Sequence, residues 1–149
     1  MEIVYTDSEN TDFVKLIKML DEDLNRRYGE LQKQYEVHNR VDHIKNVVLL
    51  YINGCPAACG AFKRYDTEAS ELKRIFVAKE YRGRGLSKTI VARLEESAIK
   101  EGFEYALLET GIRQQEAIGL YKKCGYEVIP NYGAYAGNSN SICMRKKLV

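Results

Sequence analysis

Residues 71–88 read ELKRIFVAKEYRGRGLSK, and three kinds of sequence meet in them. Glu71 to Val77 ends in an apolar, β-branched run and reads as a strand. Arg82-Gly83-Arg84-Gly85 then breaks the pattern. Beyond it Leu86, Ile90, Val91, Leu94, Ala98 and Ile99 recur at helical spacing as far as Lys100, with Gly102 as the closing cap. A strand, a glycine loop and an amphipathic helix in that order suit a bound anion. Two glycines let the backbone come close to a ligand, and the first amides of a helix have no partner within it. The positive end of the helix dipole favours a phosphate there, and Arg82, Arg84 and Lys88 add charge around the same spot.

Downstream, Tyr105 to Leu108 is an apolar strand, and about Gln114 to Lys123 is a short helix closed by Gly125. A loop rich in Gly, Asn, Ser and Tyr covers 131–141, and Ile142 to Leu148 is a last strand. Upstream, Ile3 to Tyr5 is a short strand. Ser8, Asn10 and Thr11 offer N-caps to a helix carrying Phe13, Leu16, Ile17, Leu20 and Leu24 on one face. A second short helix is expected over Tyr28 to Glu36, then a polar linker through His43. Val47 to Ile52, the turn Asn53-Gly54 and about Pro56 to Tyr65 make a hairpin, and Asp66-Thr67-Glu68 turns the chain into the strand that ends at Val77. Antiparallel strands followed by strand-helix-strand give a mixed α/β layer fold.

The chain has 149 residues, 45% of them hydrophobic and 30% charged, which predicts one globular domain over 1–149. Lys plus Arg (23) against Asp plus Glu (21) leaves +2, too balanced for a nucleic-acid binder that works through bulk charge. No stretch approaches the ~18 apolar residues of a membrane span. Asp7, Glu9 and Asp12 interrupt the N-terminus where a signal peptide would lie. The expectation is therefore a cytoplasmic protein with neither a membrane nor a nucleic acid as partner. Cys55, Cys59, Cys124 and Cys143 lack the C-x-x-C spacing, and His38 and His43 stand apart from them in sequence. Reduced, packed thiols and no metal site are expected.

Three phosphate-binding templates can be laid on the loop. A P-loop needs glycines at positions 82 and 87 ahead of Lys88-Thr89, where this chain has Arg and Ser. The dinucleotide fingerprint needs its third glycine at position 88, which is Lys. The third template fits: Arg82, Gly85 and Ser87 resemble the acetyl-CoA loop of the GNAT superfamily of N-acetyltransferases, Arg/Gln-x-x-Gly-x-Gly/Ala, with Ser as a small-residue departure. Ala117-Ile118-Gly119-Leu120-Tyr121-Lys122-Lys123-Cys124-Gly125-Tyr126 is similar to the same family's Ala-x-x-Leu-Tyr-x-x-x-Gly-Phe/Tyr pattern. The likeness covers about 65–130, and the meander before it follows the family's order of elements.

That resemblance implies a mixed, mostly antiparallel sheet flanked by helices, with one parallel strand pair splayed into a slot for CoA. It also implies acetyl transfer from acetyl-CoA straight to an amine, in a ternary complex without an acyl-enzyme. Ile75, Phe76 and Val77 would hold the acetyl and pantetheine parts through backbone groups, one N–H serving as oxyanion donor. Arg82, Gly83, Arg84, Gly85, Leu86, Ser87 and Lys88 would hold the pyrophosphate. Gln114 stands where the family often has Asn. Tyr121 matches the tyrosine that protonates the leaving thiolate in many members, and a phenol is protonated at neutral pH. Glu71, placed as in members with a catalytic Glu, is the candidate base, the alternative being a solvated strand-end carboxylate beside Lys73. Glu109 and Glu36 are substitutes.

Substrate selection is expected from Tyr28, Tyr35 and the 131–141 loop with Tyr132 and Tyr135, although surface packing explains such tyrosines equally. Tyrosines and carboxylates would hold a cationic amine; Arg113 or Arg26 would hold an amino acid's carboxylate. The sequence does not choose between them, beyond favouring a small amine or amino acid over a protein tail. The family is often dimeric, which leaves a homodimer open. A domain that binds acyl-CoA without turnover would share the loop, but Tyr121 and Glu71 argue for catalysis.

Overall fold

The sheet is built from three hairpin-connected strands onto which a strand-helix-strand unit is added in parallel. The computed structural model describes residues 1–28 and 43–149, the side chains of Arg27 and Tyr28 excepted. In chain order the elements are β1 (Glu2–Thr6), α1 (Thr11–Tyr28), β2 (Asn46–Ile52), β3 (Cys55–Arg64), β4 (Ala69–Val77), α2 (Leu86–Lys100), β5 (Tyr105–Gly111), α3 (Gln115–Lys123), β6 (Glu127–Ile129) and β7 (Ser141–Lys147). Single 3₁₀ turns occupy Lys79–Tyr81 and Gly133–Tyr135. The expected second helix over Tyr28 to Glu36 and the linker after it fall outside the described residues. The three-residue β6 has no counterpart in the sequence reading.

Strand order is β1-β2-β3-β4-β5-β7-β6, with every neighbouring pair antiparallel except β4 and β5. This is the mixed, mostly antiparallel sheet that was expected. β2 is buried on both faces, as its unbroken Val47-Val48-Leu49-Leu50 run requires. Val48 and Leu50 pack with Ile90, Val91 and Leu94 of α2, while Val47 and Leu49 pack with Phe13 and Leu16 of α1. Burying each such side chain contributes roughly 1.5–3 kcal/mol, so the two apolar faces hold the layers together. Gly60 on β3 lets α2 sit close, because a Cβ there would lie 2.5 Å from Ile90 Cγ2. Asn10 caps α1 by accepting from the N–H groups of Asp12 and Phe13.

An irregularity in β4 decides which side chains reach each face of the sheet. Cys59 pairs with Phe76 and Ala61 with Lys73, so β4 carries one residue more than β3 between those rungs. The extra residue is absorbed at Arg74, whose φ is +59°. Leu72 consequently packs with the α2 layer and Phe76 with the α1 layer, although regular alternation would put residues four apart on the same side. All four cysteines are free thiols; Cys59 and Cys143 are buried, whereas Cys55 is exposed, against the expectation of packing. Among the described residues no helix is long and apolar enough to cross a membrane.

Candidate active site

The site begins where the parallel ladder stops. β4 and β5 pair only at Ala69–Tyr105, Ser70–Ala106 and Glu71–Leu107. β5 continues to Gly111 against β7, and β4 continues to Val77 against β3, so the two strands diverge and leave a slot. The Ala78 N–H donates to Ala57 O of the strand β3. Alternation along the backbone therefore turns the preceding Val77 N–H and C=O toward the slot. Arg82 Nε donates to that Val77 carbonyl at 3.0 Å.

From the slot a groove of about 330 Å³ runs to the start of α2. Gly85 caps the helix in the left-handed conformation, φ +74°, which a side-chain-bearing residue adopts only with strain. Among the described residues the N–H groups from Gly83 to Lys88 donate to no backbone carbonyl; the first amide to do so is that of Thr89, to Gly85 O at 3.3 Å. An open fan of amides at the positive end of a 15-residue helix, with Lys88 on the groove wall, fits a pyrophosphate. Ile75, Phe76, Val77, Arg82, Gly83, Gly85, Leu86, Ser87, Lys88 and Gln114 all line this groove. Arg84 does not: its guanidinium lies over the Tyr81 ring, 5.4 Å from the centroid. Arg82 is committed to the protein as well, with its guanidinium 5.5 Å from the Phe76 centroid and 3.8 Å from Asp23.

The groove opens into a second, more polar cavity of about 90 Å³. Tyr121, Gln114, Ile75 and Leu20 line both. Tyr121 is 8% exposed, and among the described residues nothing hydrogen-bonds its hydroxyl. Burial pushes that phenol up, so it is protonated at any physiological pH. The floor of the cavity carries Glu71, Lys73 and Glu109. Glu71 is 5% exposed, which sets aside the solvated strand-end alternative. Its Oε2 accepts from the Tyr132 hydroxyl at 2.7 Å, and its Oε1 lies 3.8 Å from Lys73 Nζ. Burial pushes Lys73 down, opposed by Glu71. Glu109 accepts from the Ser141 hydroxyl at 2.7 Å through Oε2, and Oε1 has no partner among the described residues. Burial pushes Glu109 up to about 7, with the Ser141 bond and Lys73 pulling the other way.

Tyr135 lines the cavity, buried, with its hydroxyl 3.5 Å from Lys73 Nζ. Tyr132 works from behind, holding Glu71 and stacking edge-on with Tyr65 and Tyr135 at 5.0 and 5.8 Å. Neither is a surface-packing tyrosine. The side chain of Tyr28, and all of Tyr35 and Glu36, lie outside the described residues. Arg26 and Arg113 line neither cavity; Arg26 is paired with Asp23 at 3.0 Å. Sequence reasoning passed over Lys73 except as a neighbour and ranked Glu109 low. The available signal was a lone carboxylate in the otherwise apolar strand Tyr105–Gly111, a charge that needs a reason to face inward.

A family model described as "Acetyltransferase (GNAT) family" matches residues 10–126. The uncharacterised N-acetyltransferase YsnE of Bacillus subtilis is 33% identical over 94 residues, 62% of this chain and 62% of that protein. The match thus spans under two thirds of that relative's own length. A crystal structure from Klebsiella pneumoniae of a proposed acyl-CoA N-acyltransferase superposes with a TM-score of 0.82 at 26% identity, covering 99% of this chain and 97% of that one. A GNAT acetyltransferase from Elizabethkingia anophelis, solved with acetyl-CoA bound, shares the fold at TM-score 0.69 and 17% identity, over 98% and 97% of the two chains.

Proposed function

The chain belongs to the acetyltransferase (GNAT) family, and from that premise we propose that it moves the acetyl group of acetyl-CoA directly to a primary amine of a small molecule. One observation carries the reading. A buried Tyr121, whose hydroxyl meets no hydrogen-bond partner among the described residues, stands where the groove from α2 meets a pocket holding two carboxylates. Acetyl-CoA supplies the acetyl group as a thioester, already activated for attack. The amides from Gly83 to Lys88 and the Lys88 ammonium take the pyrophosphate, and Gln114 and Ile75 line the path to the slot. The slot-facing Val77 N–H donates to the acetyl oxygen as negative charge gathers there.

The proton ledger uses the pocket's own residues. As the nitrogen–carbon bond forms, the amine must lose a proton, and as the carbon–sulfur bond breaks, the sulfur must gain one. The carboxylate pair serves the first need. Glu109 takes the proton on its open Oε1, with a pKa suited to a base at neutral pH. Glu71, fixed by Tyr132 and Lys73, holds the approaching nitrogen in line. Tyr121 serves the second need by giving its phenolic proton to the departing sulfur, and solvent replaces it.

The test is thiol release from acetyl-CoA with a panel of primary amines, with product confirmed by mass. Thiol released one-for-one with acetylated amine supports the reading. Tight acetyl-CoA binding without amine-dependent thiol release would leave a CoA-binding domain and no transferase.

A further inference from the structure

The described lining of the small cavity holds two acids and two bases, and each of those cations already faces a carboxylate. Its lining carries Glu71, Glu109, Lys73 and Arg74. Lys73 faces Glu71 at 3.8 Å, and Arg74 Nη1 bonds Asp21 Oδ1 at 3.0 Å. That leaves Glu109, whose Oε2 takes the Ser141 hydroxyl while Oε1 meets no donor among the described residues. A second group without a partner lines the same space, the 8%-exposed Tyr121 hydroxyl. A cavity with one surplus carboxylate and a buried phenol asks for a ligand that brings a positive nitrogen and no negative charge near it. The two arginines that would serve a substrate carboxylate, Arg26 and Arg113, are not in its walls.

We infer that the acceptor is a compact primary amine with no carboxylate on the carbon that bears the nitrogen, and not an α-amino acid. This rests on the transferase reading above and narrows it. The ammonium settles on Glu109 Oε1 and gives it one proton, which passes to solvent; the freed carboxylate then takes the second proton as the nitrogen–carbon bond forms. An α-carboxylate would be brought against Glu109 and Glu71 with only committed cations among the described residues to answer it, and like charges desolvated together are strongly disfavoured. Size agrees. A volume of about 90 Å³ has room for roughly six to nine water-sized groups. Leu20, Leu24 and Leu108 supply apolar wall for a short hydrocarbon tail.

The experiment compares 3-methylbutylamine, leucine and leucinamide as acceptors, each with saturating acetyl-CoA. The three share a carbon tail. Leucinamide keeps the bulk of the carboxyl group and removes its charge. We expect kcat/KM for the amine to exceed that for leucine by about 10²-fold or more, with leucinamide close to the amine. In Glu109→Gln the rates fall for every acceptor, but the preference for the amine over leucine shrinks about tenfold or more, which a purely structural role would not produce. Leucine matching the amine would overturn the inference and leave the transferase reading standing. Leucinamide as poor as leucine would also overturn it, because size and not charge would then be selecting. Acetyl-CoA bound with none of the three turned over would overturn the transferase reading and the inference with it.

Discussion

The Tyr132 hydroxyl donates a 2.7 Å hydrogen bond to Glu71 Oε2. It ties the 131–141 loop to the last rung before β4 and β5 part. The loop and the carboxylate therefore form one unit, with Tyr65 packed edge-on to the Tyr132 ring at 5.0 Å. Tyr132→Phe keeps the ring contacts and removes the donor. A buried carboxylate that loses one such bond costs about 1–3 kcal/mol. We expect a lower Tm and an acceptor KM raised several-fold, with acetyl-CoA affinity unchanged by calorimetry. An unchanged acceptor KM would show that Glu71 does not depend on the loop.

Tyr121→Phe separates packing from proton donation. The ring stays in its edge contact with Tyr126, 6.0 Å between centroids, and only the hydroxyl goes. The expected result is acetyl-CoA affinity within a few-fold of the wild type and kcat down about 10²-fold, equivalent to ~2.7 kcal/mol of transition-state stabilisation. A loss confined to acetyl-CoA binding would make Tyr121 a wall of the groove. Normal rates would mean that water protonates the sulfur.

Glu109 should trade stability for activity. Its carboxyl is raised from the usual 4.5 to about 7 by burial. Between those values the folded chain holds a proton that the unfolded chain has lost, so this group's contribution to stability falls as pH rises through the window. Glu109→Gln carries no charge to bury. It should melt above the wild type at pH 8, by something on the order of 1–3 kcal/mol, and show little difference near pH 4. Activity should move the other way: the rise of kcat/KM on passing pH 7 is lost in the variant. A Tm difference that ignores pH would place the charge of Glu109 in solvent.

Gly85 tests the loop. A Cβ there meets no heavy atom within 4 Å, yet φ of +74° penalises any residue that carries one by about 1–2 kcal/mol. Gly85→Val should lose stability and acetyl-CoA binding together. Gly85→Asn tolerates the left-handed conformation better and still puts atoms into the groove. Calorimetry should show weak acetyl-CoA binding in both variants while Asn recovers most of the Tm. Wild-type affinity in the Asn variant would mean that the ligand does not approach this backbone.

Legibility in the sequence depended on how local the cause was. The loop and α2 could be read from one continuous stretch, 71–102, because glycines, helical period and free amides are local properties. The hairpins could be read from Asn53-Gly54 and Asp66 for the same reason. The acceptor pocket could not be read that way. Which face Glu71 and Lys73 look toward depends on the extra residue at Arg74, and no alternation pattern announces it. Glu109 gains its setting only when β7 brings Ser141 alongside, 32 positions away in the chain. Leu20 and Leu24 belong to the apolar stripe of α1, and nothing in their spacing distinguishes a cavity wall from a packed core.

The parallel ladder between β4 and β5 has only three rungs. Backbone amides of β4 past Glu71 that face the slot lie open to deuterium, while those bonded to β3 are shielded by their ladder. A ligand seated in the slot would stand in for the missing strand pairing, and its binding free energy would be added to the folding free energy. At a free concentration a hundred times Kd the gain is about 2.7 kcal/mol. Acetyl-CoA should therefore raise the melting temperature and slow exchange at the slot-side amides together, as a missing strand would.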